Sequence, residues 1–127
     1  MRVWMEESFE SEFGLGPEDY FCQPLPGGPR LIILNREIIA VNPLLQFYAG
    51  QKFTDVGIFG HEDCHYYADM KGEWQGVREA ERTHHVGDLN EAGAILKQHW
   101  PWVQRLHLRY ATVTPDKRKL AAVEKIL

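Results

Sequence analysis

An α+β fold, with a small antiparallel sheet packed on two helices, is predicted from three features of the chain. Leu31-Ile32-Ile33-Leu34 and Ile38-Ile39-Ala40-Val41 are apolar runs rich in β-branched residues, separated by the polar Asn35-Arg36-Glu37. Such a pair reads as an antiparallel hairpin over about 31–42, ended by Asn42-Pro43 because proline has no ladder donor. Two later segments place apolar residues at three- and four-residue steps, the spacing of one helix face. The length of 127 residues suits one domain with a single core, 1–127.

The first helical segment runs from about 54 to 69, with Val56, Phe59, Gly60, Cys64, Tyr67 and Ala68 on one side. Gly57 and Gly60 weaken it, since glycine costs about 1 kcal/mol against alanine inside a helix. A shorter stretch follows from Val77 to about His84, broken at Gly87. Asp88 is then a candidate N-cap for a helix over about 88–100, closed by Pro101. Leu106 to Val113 alternates or favours a strand, with a helix as the alternative. Asp116 would cap a last helix from Lys117 to Leu127, with Leu120, Val123, Ile126 and Leu127 on one face.

Composition narrows the function classes. Eighteen acidic and fourteen basic side chains give a formal charge of -4, which argues against nucleic acid as the main partner. No apolar run approaches the roughly 20 residues of a membrane span, and MRVWMEESFE lacks the shape of a secretory signal, so a cytoplasmic location is the expectation. Two cysteines, Cys22 and Cys64, make neither a disulfide scaffold nor a thiolate zinc cluster. Charge is unevenly spread. Glu6, Glu7, Glu10, Glu12, Glu18 and Asp19 face only Arg2 in the first twenty residues, whereas the end of the chain is basic. Two solvated faces explain this most simply.

One short motif carries chemistry. His61-Glu62-Asp63-Cys64-His65 satisfies H-E-x-x-H within the expected first helix. On a helix, residues i and i+4 lie one above the other, so both imidazoles would reach a single ion. Glu62, rotated by about 100°, would address a metal-bound water as general base. Zinc (Zn2+) with three protein ligands keeps a fourth position for that water and lowers its pKa to about 7. Asp63 departs from the pattern, occupying a position that zinc peptidases fill with a bulky apolar residue.

Hairpin, HExxH helix and a following glutamate-bearing helix resemble the gluzincin metalloproteases, particularly the small single-domain minigluzincins, over about residues 30–100. The resemblance implies a zincin-like domain that hydrolyses peptide bonds in a peptide or protein substrate. It implies zinc held by His61, His65 and a glutamate on the next helix. Glu91, 26 residues beyond His65, is the choice for that glutamate; Glu81, Glu79, His84 and His85 are competitors. It also implies a substrate paired along the edge strand 37–42 and an oxyanion donor among His107, Arg109 and Tyr110. The alternative is a catalytically inactive zincin-like domain, or a metal-free protein-interaction or adaptor domain. Oligomeric state is open at this level.

Overall fold

The computed structural model describes the chain apart from residues 1, 26, 63, 65, 66, 68, 70 and 115–119. The fold is α+β, with a three-stranded mixed sheet and six α-helices among the described residues. In chain order these are α1 (Arg2–Phe13), a 3-10 turn (Pro17–Asp19), α2 (Pro29–Leu34), α3 (Ile38–Val41), α4 (Pro43–Ala49) and β1 (Asp55–His61). Then come α5 (Lys71–Trp74), α6 (Arg78–His99), β2 (Arg105–Val113) and β3 (Leu120–Lys125).

The sheet order is β1-β2-β3. β1 and β2 run parallel, with Val56 opposite Leu106 and His61 opposite Ala111, and β3 returns antiparallel to β2. Parallel neighbours require a crossover, and α6 supplies it. Its 22 residues bury His85, Leu89, Ala92, Gly93, Ile95 and Leu96. These meet Ile58, Leu108 and Tyr110 from the strands, together with Ile32, Ile39 and Leu45 from α2, α3 and α4. Gly93 sets the approach of α6 to β2: a Cβ there would lie 2.7 Å from Leu106 Cδ2. Glu79 and Glu81 in the first turn and Lys97 and His99 in the last complement the helix dipole.

Four expectations are corrected. The apolar runs at 31–34 and 38–41 form helices α2 and α3, not a hairpin, so no edge strand exists at 37–42. Pro29 occupies the first turn of α2, where its missing N–H costs nothing, and each four-residue run is too short for periodicity to distinguish strand from helix. The segment from Asp55 to His61, expected as the start of a helix over 54–69, is strand β1. Within it, Ile58 and Gly60 are buried on the α6 side, while a Cβ on Gly57 would lie 3.0 Å from the Phe9 ring of α1. Gly87 does not break a helix, because α6 runs through it and its open exposed position tolerates the missing side chain. Of the helix expected over 117–127, residues 120–125 form β3 instead, since pairing with β2 outweighs a weak helical face, while its Asp116 cap and residues 117–119 lie outside the described residues. By contrast, β2 lies where a strand is expected, and the helix expected over 88–100 is the second half of α6.

Buried polar side chains tie the layers together. Arg109 is 2% exposed and donates to both oxygens of Glu12, Nε to Oε2 at 3.1 Å, and through Nη1 to the carbonyls of Leu108 (3.0 Å) and Leu127 (2.6 Å). A buried guanidinium needs this full set of acceptors, and Glu12 thereby fixes α1 on the face of the sheet opposite α6. Phe13 packs against His107 with ring centroids 4.6 Å apart, and Phe9 against Phe59 at 6.0 Å. At the start of the parallel pair, Asp55 accepts from Arg105 Nε (2.8 Å) and Nη2 (3.0 Å), and lies 2.9 Å from His107 Nε2.

Hydrogen bonds from Arg105, His107 and Thr54 hold the Asp55 carboxyl well below the usual aspartate range. A depressed folded-state value contributes stability that is complete above the unfolded pKa near 3.8 and is lost as pH falls below it. Asp55→Asn is therefore expected to lower stability at pH 7 by about 1 kcal/mol. It should also flatten the decline of stability below about pH 4. Urea denaturation of both proteins between pH 7 and pH 2.5 measures it, and parallel curves would contradict the assignment.

Candidate functional site

The carboxyl ends of parallel strands are where open α/β sheets bind ligands, because the chain leaves the sheet there in loops. In this fold that end carries His61 on β1, Glu62 after it, and Val113 at the end of β2. The pairing continues one step past His61, since Glu62 N–H donates to Ala111 O at 2.9 Å. Residue 61 is therefore held as extended chain, and the chain turns at Glu62. The helical alignment expected for His61 and His65 is absent at its first member, and His65 and Asp63 lie outside the described residues.

His61 is half-buried, and its ring is fixed by a hydrogen bond between Nδ1 and Glu62 O at 2.9 Å. A carbonyl only accepts, so Nδ1 carries a proton, and in the neutral ring Nε2 is the nitrogen with the lone pair. Among the described residues no hydrogen bond engages Nε2. Glu62 is 8% exposed and its carboxylate is occupied. Arg78 donates through Nη2 to Oε1 (2.8 Å) and Oε2 (3.0 Å), and through Nε to Oε2 (3.2 Å). Val113 N–H donates to Oε1 at 2.8 Å. The side chain thus joins the start of α6 to the end of β2.

Behind these residues lies a small aromatic cluster. Cys64, Tyr67 and Trp74 are buried together. His85 of α6, 1% exposed, packs between Tyr67 (ring centroids 4.2 Å apart), Trp74 (5.7 Å) and Tyr110 (5.3 Å). Among the described residues, neither His85 ring nitrogen has a hydrogen-bond partner. Burial, reinforced by the nearby His61 and His84, pushes its pKa down from 6.5 to about 4, so the ring is neutral at pH 7. Tyr67 OH donates to Asp88 Oδ2 at 2.6 Å, and His84 Nε2 lies 3.3 Å from the same oxygen. Burial and that carboxylate hold the Tyr67 phenol strongly on its protonated side. Arg30 caps the cluster, with Cζ 4.9 Å from the Tyr67 ring centroid and both Nη atoms on Asp69.

The structure brings His61 close enough to His85, one of the competitors for a ligand role, for their charges to interact. Glu91 sits about two turns further along α6, 46% exposed, and accepts from Arg36 Nη2 at 2.9 Å. Glu79 lies in the first turn of α6, 3.8 Å from Arg82, and Glu81 lies in the same turn. Of the possible oxyanion donors, His107 is on Asp55 and Arg109 on Glu12, while Tyr110 is buried beside His85. Among the described residues, no group of three His, Cys, Asp or Glu side chains is placed to hold a metal ion. Reading the sequence alone missed the pairing of Glu62 with Arg78 and the burial of His85. The signal for the latter was its place in a helix that carries Leu89 four residues later and Ala92 seven residues later on the same face.

The buried neutral ring of His85 has a thermodynamic consequence. Between about pH 6.5 and pH 4 the unfolded chain takes up a proton that the folded chain does not, so stability falls as pH falls through that window. The loss reaches on the order of 2–3 kcal/mol by pH 4. In His85→Phe, which keeps a ring among Tyr67, Trp74 and Tyr110, this limb is expected to vanish. Chemical denaturation at pH 7.5 and pH 4.5 provides the comparison, and an unchanged difference between the two pH values would refute it. No protein-family model, no curated protein and no solved structure matches this chain.

Proposed function

We propose that the carboxyl end of β1 is a zinc centre with hydrolytic activity, and that His61 is its first ligand. The observation that carries this reading is the orientation of the His61 ring: Nδ1–H is committed to Glu62 O, and among the described residues no hydrogen bond engages Nε2. Metal-binding histidines are oriented in this way, by a carbonyl or carboxylate on the other ring nitrogen. His85 adds a second indication, because a buried imidazole with both nitrogens unbonded is a costly group that a bound ion would satisfy. Cys64 and His65, three and four residues beyond His61, are the sulfur and nitrogen donors that the motif itself places next in the chain. When bound, zinc supplies a water made acidic enough to attack a carbonyl near neutral pH.

The chain's own residues orient and enclose. The Glu62 backbone carbonyl sets the His61 tautomer, and the Glu62 side chain fixes the turn by joining Arg78 to the Val113 amide. Tyr67, Trp74 and Tyr110 exclude water from the His85 side of the site. Peptide bonds are the substrate class that the HExxH motif implies, with Glu62 as the base; to act so, Glu62 must exchange Arg78 for the proton it accepts. That requirement favours a second reading, in which Glu62 is structural and the domain serves protein interaction without catalysis.

Zinc content of the purified chain tests the first reading. Roughly one zinc per chain is expected, with a rise in melting temperature on adding zinc to the stripped protein. His61→Ala should weaken zinc binding by more than roughly 100-fold while the far-ultraviolet spectrum is kept. No retained zinc and no thermal shift would end the metal reading. Glu62→Gln separates the two. An enzyme using this base keeps zinc and loses peptide cleavage, whereas the interaction domain cleaves nothing in either form.

A further inference from the structure

A second surface lies where α1, the 17–22 segment and α4 meet. Among the residues that line a groove of about 410 Å³ there are Glu6, Glu7, Glu10, Tyr20, Phe21 and Tyr48. Phe21 stacks on Tyr48 with ring centroids 4.5 Å apart and planes 15° from parallel, and lies 6.2 Å from Phe47. The aromatic wall therefore continues out of the groove onto α4. There Leu44 and Phe47, three residues apart on one helix face, are 51% and 59% exposed, and Phe21 is 51% exposed. Apolar side chains of this size standing together in water mark an interaction surface more often than chance exposure.

Charge identifies the occupant. The groove presents three carboxylates and, among its described lining residues, no basic side chain. Tyr20 OH donates to Glu10 Oε1 at 2.7 Å, so the aromatic wall and the acidic rim are joined and the phenol leaves the carboxylate's charge in place. Acidic groups beside aromatic faces suit lysine and arginine, whose alkyl stems lie on rings while the cationic heads reach carboxylates. A small organic cation would fill the groove and leave Leu44 and Phe47 uncovered. An extended segment with apolar residues beside its basic ones covers both.

We propose that the acidic-aromatic groove formed by Glu6, Glu7, Glu10, Phe21 and Tyr48, with the adjoining Leu44 and Phe47, docks a basic segment of a partner protein that carries apolar anchors. This inference is independent of the zinc reading, because its residues belong to other elements and its test uses binding alone.

The test is fluorescence anisotropy of the full chain with a labelled ten-residue peptide of glycine and serine containing two lysines and two leucines. Binding is expected to weaken at least tenfold in Glu7→Lys and in Phe47→Ser, both exposed positions, with the far-ultraviolet spectrum of each variant unchanged. The same loss is expected when the peptide's lysines become glutamates, or its leucines serines. Absent binding overturns the proposal, as does equal binding by wild type and variants. Loss with the charge changes alone overturns it too, since that describes unspecific attraction. Sedimentation of the chain by itself completes the test: a dimer that Phe47→Ser converts to monomer would assign the surface to a second copy and overturn it.

Discussion

Parallel pairing of β1 with β2 is the constraint on which the rest of the molecule depends. Two parallel neighbours cannot be joined by a tight turn, so the chain must leave the sheet after His61 and return at Arg105. α6 makes that return and in doing so buries one helical stripe, from His85 to Leu96, on the strands. Ile58, Leu108 and Tyr110 supply the strand side of this contact, and α2 and α3 close it with Ile32 and Ile39. The short helices α2, α3 and α4 have too few residues to be stable alone and take their order from the same core. The opposite face of the sheet is held differently, by one buried guanidinium and a few rings. Arg109 is satisfied only while Glu12 and the Leu127 carbonyl are in place, so α1 and the end of β3 are coupled through a single side chain.

Legibility of the sequence followed how many competing structures each segment allowed. β2 was legible because Leu106 to Val113 alternates and no breaker interrupts it. The second half of α6 was legible from Leu89, Ala92, Ile95 and Leu96, whose spacing fits only a helix. β1 was not, since Val56, Phe59 and Gly60 satisfy a helical count while Val56, Ile58 and Gly60 satisfy a strand count. The outcome was decided by a partner strand fifty residues away. β3 failed for the same reason. Leu120, Val123 and Ile126 stand three apart, a helical signal, yet Ala122 and Val123 pair with Thr112 and Ala111. In the candidate site, His61 and Glu62 were identifiable as chemistry-bearing residues, but not their partners. Arg78 and Val113 reach Glu62 from 16 and 51 positions away, distances over which local spacing carries no information.

The difference between a helical backbone and a strand that ends at His61 is chemical as well as geometric. On a helix, neighbouring side chains diverge by about 100° and a histidine and the glutamate after it can attend to one ion. On extended chain they leave toward opposite faces. Here the Glu62 carboxylate is drawn to the end of β2, where it accepts the Val113 amide, and Arg78 follows it from the start of α6. His61 is left with the backbone carbonyl of its neighbour on one nitrogen and a lone pair on the other. Among the described residues, the imidazole whose charge state His61 influences is that of His85 on α6. On the proposed reading, an ion shared by His61 and His85 would be bound across tertiary structure. Its affinity then depends on the packing of α6 against β1, the same contact that secures the fold.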